Sequence, residues 1–380
     1  MRDPFKRFNS GRAVLFLVAL IALYLTGAVL KITASINLPF IMAVLLALVM
    51  TPFINFWMKF KIPRFIPIIF AGFLLIAVII ALGEVFFISA QSILRIYPRY
   101  EARMTEIFIW LSQYFDLSYD EQLSFIQNLW AQSGIRTQIQ IYTFTLSNSF
   151  LNFIKDTVMI SLFLVFLLFE AVFIKEKLNV AFEGKRAGHI WKISIEIMQQ
   201  VSRYLSIKFI ISVINGVVVA FLLKLVGLEF AVVWGIFQFI LNFIPTLGTI
   251  AISIVVSLFS LIQFWPDPLP VFLTILIMVG VNMILGSIID PKVTGDGLGL
   301  TPLVIFLSLM LWGWIWGFAG MVIAVPMTVI IRIVCDNVPV LEPISILLGS
   351  RRAVQAKKAE YEKEAESDAE GKPKGNVTGE

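Results

Sequence analysis

Two apolar runs in this chain are too long for one crossing of a bilayer and too broken for one helix. Phe230–Ile262 and Pro302–Val334 each cover about 33 residues. A straight helix of that length measures roughly 50 Å, against a hydrocarbon core of about 30 Å. Both runs are interrupted at the centre. The first breaks at Asn242-Phe243-Ile244-Pro245-Thr246-Leu247-Gly248 and the second at Gly313-Trp314-Ile315-Trp316-Gly317-Phe318-Ala319-Gly320. Each half reaches only roughly 21 Å, less than a crossing. Each run is therefore a strongly broken span or a re-entrant helical hairpin. Irregular backbone at membrane depth persists only where protein or a watery cavity covers it.

Six further runs have spanning length: Ala13–Leu30, Ile36–Met58, Phe65–Leu94, Phe153–Ile174, Ile207–Val226 and Val271–Ile289. With 59% hydrophobic and 14% charged residues, the chain is far from the roughly 45–50% and 25% of soluble domains. The expected fold is an all-α integral membrane protein. It has six to eight spans, two broken or re-entrant hairpins and a small extramembrane helical insert. No cleavage site follows the first run, so that run is read as a retained membrane helix.

Lys and Arg set the orientation. The N-terminal cluster, Lys59/Lys61/Arg64, the set from Lys175 to Lys192, and Arg351/Arg352 fall on one side. The positive-inside rule makes that side cytoplasmic, with both termini there. Eight simple spans satisfy this pattern, and so do six spans with two hairpins. The absence of Lys and Arg from Phe264–Pro270 favours the hairpins. The expected divisions are N-terminal spans (1–94), an extracytoplasmic helical insert (95–152), a span (153–178) and a cytoplasmic linker helix (179–206). A transport core (207–336) and a charged cytoplasmic tail (337–380) complete the chain. In the insert, Ser118 and Glu121 form a capping box for a second helix. Trp191, Ile195, Met198 and Ser202 share one face of a helix that leads into the next span.

Enzyme signatures are lacking. The single His189 and single Cys335 exclude histidine-pair motifs and an internal disulfide. There is no GxxxxGK[ST] phosphate loop, so direct ATP hydrolysis is not expected, and Gly295-Asp296-Gly297 lacks the spacing of a nucleotide loop. No cofactor, metal or nucleic-acid partner is expected.

The informative residues are polar groups inside apolar runs, where an unpaired polar atom is costly. They are Asn215, Gln238, Asn242, Thr246, Thr249 and Asn282. Each is either a plain interhelical hydrogen-bonding residue or part of a solute site. Gln238 and Asn242 lie four apart, on one face of the half-helix leading into Pro245. Pro245 and Gly248 are expected to hold the break open, freeing carbonyls around Asn242–Ile244 and N–H groups near Gly248 and Thr249 for a solute. Arg203 and Lys208 are placed at the cytoplasmic entrance, and Asp290 is a candidate proton or sodium carrier. Lys224 with Glu229 is expected to pair at an interface, and Glu170 and Lys175 to snorkel. Trp312, Trp314 and Trp316 are read as either interfacial anchors or part of a close backbone approach.

Over residues 195–335 the chain resembles the autoinducer-2 exporter family of bacterial membrane proteins. The matching elements run in order: Arg203-Tyr204-Leu205 with Lys208, Asn215-Gly216, Gly227-Leu228, Trp234-Gly235 and Leu241-Asn242-Phe243-Ile244-Pro245 with Gly248. Pro291-Lys292, Leu298-Gly299-Leu300-Thr301-Pro302-Leu303 and Gly317-Phe318-Ala319-Gly320 to Ala324-Val325-Pro326 follow. Thr246 stands where members often carry an aromatic residue. The resemblance implies a permease-like fold, homo-oligomers and export of a small polar signal, and for some members sodium or lithium/proton antiport. The leading reading is a secondary exporter of a small hydrophilic solute in the bacterial inner membrane, driven by a proton gradient. Its site is expected between the two broken segments, at Gln238, Asn242, Pro245, Thr246, Gly248, Asn215 and Asn282. The alternatives are a cation/proton antiporter using Asp290 and a non-transporting scaffold.

Overall fold

The structure, a computed structural model, describes residues 10–63, 65–115, 154–171, 173–182, 185–289, 299–338, 340–350 and 354–355. Among these the fold is helical, with one isolated bridge between Leu300 and Gly349. In chain order the helices are α1 (Ser10–Ile32), α2 (Ala34–Met58), α3 (Phe65–Phe115), α4 (residues 154–170), α5 (Ile174–Ala181) and α6 (Lys185–Val226). Then come α7 (Ala231–Leu241), α8 (Leu247–Phe264), α9 (Pro268–Val281), α10 (Pro302–Asp336) and α11 (Glu342–Leu348). A π-helical segment, Asn282–Ile289, continues α9. Six described helices contain stretches long and apolar enough to cross a membrane. Large apolar side chains such as Phe73, Phe166, Phe221 and Leu276 are exposed around the bundle, as a lipid-facing surface requires.

The first broken run is a hairpin. Its two feet are tied together: Gln263 Oε1 accepts from Glu229 N–H at 2.8 Å, and Gln263 Nε2 donates to Gly227 O at 2.9 Å. Residues 34 and 36 positions apart in sequence therefore sit at one level. The chain enters along α7 and leaves by the same side along α8. Trp234 against Phe259, ring centroids 5.1 Å apart, fills the space between the legs.

The second run is also a hairpin. The helical register within α10 fails at Trp316 (φ −125°, ψ 17°) and Gly317 (φ 62°, ψ −139°), the latter a conformation glycine alone adopts without strain. Ser308 on one leg donates to Ala324 O on the other at 3.2 Å and bonds the Thr328 hydroxyl.

The two tips share a local design. A Cβ at Gly248 would lie 1.9 Å from Leu241 O and 3.1 Å from Ile244 Cβ. A Cβ at Gly320 would lie 1.9 Å from Trp312 O and 3.1 Å from Trp316 Cβ. In each hairpin the returning helix presses a glycine on the last turn of the entering helix, where no other residue fits.

The surrounding helices hold the hairpins. α6 crosses α7 at Gly216 and Gly235, where a Cβ on either would come within about 2.6 Å of the other's carbonyl oxygen. Close backbone approach of this kind is the usual membrane helix contact. Ser202 donates to Leu48 O at 2.7 Å, joining α6 to α2. Trp312 and Trp316 are buried and stacked at 5.0 Å, and Trp316 Nε1 donates to Leu30 O of α1 at 3.0 Å. These two are core residues, because the tip's sharp turn folds their rings inward. Trp314 alone stays exposed, with the Lys31 ammonium 4.4 Å from its ring.

α3 is one helix of 51 residues and shows no break at position 94 or at Pro98. Its length, roughly 76 Å, carries it well past the hydrocarbon core. The extension lies along the feet of the first hairpin. Tyr100 packs on Phe259 at 5.5 Å and Trp110 on Trp265 at 5.5 Å. The carboxylate of Glu229 accepts from the Tyr100 hydroxyl and pairs with Arg99 at 3.5 Å. The expected Lys224–Glu229 pair is thus replaced by a longer-range contact, because α3 reaches this level. Glu170 pairs with Lys177 across the turn into α5. The second insert helix after Ser118 lies outside the described residues.

Candidate functional site

A layer of neutral polar side chains crosses the core of the bundle. Asn215 lies 11 residues before the end of α6, roughly 16 Å along its axis and close to half the hydrocarbon thickness. Its Nδ2 donates to Asn242 Oδ1 at 3.4 Å, and Asn242 Nδ2 donates to Ser212 Oγ at 2.9 Å. Gln238 Nε2 donates to Asn282 Oδ1 at 2.7 Å, and Asn282 Nδ2 donates to Ser253 Oγ at 2.9 Å. Ser253 in turn donates to Thr249 O at 2.7 Å. Asn215, Gln238 and Ser212 are wholly buried and Asn242 is 2% exposed. Two acceptors in this layer, Asn215 Oδ1 and Gln238 Oε1, have no hydrogen bond among the described residues.

The helix geometry explains the convergence. Gln238 and Asn242 share a face of α7, Thr249 and Ser253 share a face of α8, and Ser212 and Asn215 share a face of α6. The Gly216–Gly235 crossing brings α6 close enough for short amide side chains to meet. Asn282 stands where α9 passes into the π-helical segment, a distortion frequent at functional sites.

The hairpin tip closes on a strained turn. Thr246 has φ 62° and ψ −54°, and Leu247 N–H donates to Pro245 O at 2.6 Å. This is a γ-turn of the rare, strained hand, here centred on a β-branched residue. The sequence reading expected freed backbone groups at this break. The structure spends several of them locally: Gly248 N–H on Ile244 O at 3.2 Å and Ile250 N–H on Thr246 O at 3.1 Å. Side chains are the chief polar groups the tip offers.

Beside the tip lies a cavity of about 560 Å³. Asn242, Pro245, Thr246, Thr249, Ser253 and Asn282 supply its tip and polar wall, and Lys208, Gly286 and apolar residues of α8 and α9 complete it. Asn215 and Gln238 stand behind, bonded to Asn242 and Asn282. Gly248 is buried under the tip. Lys208 is 4% exposed and borders the cavity, whereas Arg203 is exposed and does not line it. Asp290 lies outside the described residues.

The cavity does not lie between the two hairpins, as the sequence reading expected. No residue of α10 lines it. The space where the hairpins meet is a separate void of about 270 Å³ lined by residues such as Leu205, Phe243, Ile323 and Pro326. The physical reason is the second hairpin's composition: its inward face is aromatic and aliphatic, and its Ser308 and Thr328 hydroxyls are satisfied within the hairpin. Ser212 and Ser253 were missed from sequence. Their only signal is spacing, three before Asn215 and four after Thr249.

The sequence profile of AI-2E family transporters matches residues 14–339. The chain belongs to the AI-2E transporter family. A Borreliella burgdorferi protein whose name assigns it to transport is 30% identical over 338 residues, covering 88% of this chain and 90% of its own length. A similarly named Haemophilus influenzae protein is 29% identical, covering 87% and 94%. The AI-2 transport protein TqsA of Escherichia coli is 26% identical, covering 92% and 98%. As an AI-2E family member the chain is a multi-pass protein of the bacterial inner membrane. It is a transporter of a small solute and not an enzyme. Among the described residues no group of three His, Cys, Asp or Glu could hold a metal.

Proposed function

We propose that this AI-2E family protein exports a small hydrophilic solute by alternating access, holding it in the cavity beside the first hairpin tip. The observation that carries this reading is the cavity's polar wall, built from Asn242, Thr246, Thr249, Ser253 and Asn282 inside an otherwise apolar bundle. Broken helices near the bilayer midplane are the usual place for such a site. The hairpin supplies the moving part. Its tip is a strained turn and its feet are clasped by α3. A rocking hairpin opens the cavity to one side or the other. Both termini are assigned to the cytoplasm from the distribution of Lys and Arg. A proton gradient is the driving force we assign.

Autoinducer-2, named in the Escherichia coli relative, is the first solute to test. Wild-type protein in sealed liposomes is expected to move labelled autoinducer-2, and Asn242→Ala to lose that movement while still inserting. Equal rates in the two proteins would remove the site from the cavity.

A further inference from the structure

The void of about 270 Å³ where the two hairpins meet is lined, among the described residues, by apolar side chains alone. One wall is a stripe of α2, Met42, Leu45, Leu46 and Val49, spaced to share a helix face. Leu46 is the central residue of α2, so this wall lies deep in the span and away from the lipid headgroups. α2 and α6 touch where Ser202 donates to Leu48 O. Further along α6, Leu205 and Phe209 form the opposite wall. Ile323 and Pro326 of α10 close one end.

The void continues the lipid-facing surface. Phe209, Phe239 and Phe243 form a ladder of edge-to-face rings, with centroids 5.6 and 5.5 Å apart. Phe209 is 39% exposed, while Phe239 and Phe243 are half-buried. All three line the void, so the ladder runs from the outer face of the bundle inward. Ile210 and Val213, beside Phe209 on α6, are exposed on that outer face.

Size and chemistry decide the occupant. Water does not settle in an apolar void that offers it no polar partners. A helix about 10 Å across fills roughly 420 Å³ per turn, more than the whole void. An extended peptide would bring N–H and C=O groups to walls that cannot pair them. A hydrocarbon chain brings no polar atom, is thin and flexible, and is as apolar as the leucines it would meet. A dry cavity of about 150 Å³ already takes benzene, so this larger one has room for a run of several methylenes.

We infer that the void is a binding site for one acyl chain of a bilayer lipid, which enters past Phe209 and seats against Phe243. Phe243 follows Asn242 directly, so the chain bears on the apolar back of the tip whose other side lines the polar cavity. The site does not depend on what that cavity carries.

The test uses purified full-length protein in nanodiscs of phosphatidylethanolamine and phosphatidylglycerol. A fraction of the phosphatidylglycerol carries a diazirine in the middle of one acyl chain. Irradiation expels nitrogen, the carbene inserts into neighbouring C–H bonds, and mass spectrometry maps the adducts. Wild type is expected to carry them on Phe243 and Val322, which line the void, as well as on the exposed Val217 and Leu276. A lipid with the diazirine in its headgroup is expected to leave Phe243 unlabelled. Val49→Trp fills the void, and its adducts on Phe243 and Val322 are expected to fall at least about tenfold relative to Val217, the change that two lost methylene contacts produce. Leu46→Phe, a smaller filling change, is expected to act in the same direction. Phe243 and Val322 free of adducts in a wild type labelled at Val217 and Leu276 would overturn the site and show that protein closes the void. That result needs no variant, so a misfolded Val49→Trp does not spoil it. Undiminished labelling in folded Val49→Trp would also overturn it, as would labelling of Phe243 by the headgroup probe.

Discussion

Asn242 Oδ1 accepts from Asn215 Nδ2 at 3.4 Å, joining the tip of a re-entrant hairpin to the helix that crosses the bilayer beside it. The same Asn242 donates to Ser212. One amide thus ties the hairpin tip to α6 from within the hydrocarbon core. The 3.4 Å separation makes the Asn215 contact a weak one.

The double-mutant cycle of Asn215→Ala and Asn242→Ala is expected to give a coupling of about 0.5–1.5 kcal/mol, the range of interhelical hydrogen bonds in membranes. Reversible unfolding in mixed micelles measures it. Additive single effects would mean that the two amides do not act on each other.

Gly248→Ala and Gly320→Ala are expected to destabilise the protein by about 3 kcal/mol or more each, at or beyond the upper end of overpacking. In both cases the new methyl would collide with a backbone carbonyl at 1.9 Å, which has no rotamer to yield. Gly280→Ala is the control, since open space surrounds that position. The thermal transition and the yield of monodisperse protein report the difference. Equal behaviour of Gly248→Ala and Gly280→Ala would contradict the tip geometry.

Tyr100 lies beyond the apolar segment of α3 and bonds the Glu229 carboxylate. Burial first, and then the hydrogen bond and charge of Glu229, hold its phenol above the usual tyrosine range, with Arg99 and Arg103 opposing. A phenol whose pKa rises on folding stabilises the fold at every pH below its unfolded value near 10, and that stabilisation is lost as pH rises further. The α3 clasp is therefore expected to be insensitive to pH between about 6 and 9 as far as Tyr100 is concerned. Above about pH 10 wild type is expected to lose stability faster than Tyr100→Phe. Phenolate absorbance and unfolding, followed together through that range, check both statements. A Tyr100 that ionises with the exposed tyrosines would refute the buried contact.

Much of the fold is legible in the sequence. Apolar runs, the basic residues beside them and the breaks at Pro245 and Gly317 are local properties, and each reports on its own segment. The resemblance around Leu241–Pro245 marks the tip for the same reason. Other features need distant partners. Glu229 was paired with Lys224 because that residue is near in sequence, while Arg99 and Tyr100 reach it from 130 and 129 positions away. In the sequence Trp312 and Trp316 fit either interfacial anchors or a close backbone approach, and the turn at Gly317 buries them.

The sequence by itself determined that this chain lives in a membrane, that two of its apolar runs fail at their centres, and that Gln238 and Asn242 face one way. Those conclusions depend on helix period and transfer free energy, which act within a single segment. Only the tertiary structure decided that the polar residues meet at the first hairpin and that the void beside the second is lined by apolar side chains. It also moved Lys208 from an entrance to a cavity wall. The reason is geometric: polar side chains on four separate segments converge only because α6 and α7 cross at two glycines, and no single segment encodes where another will cross it.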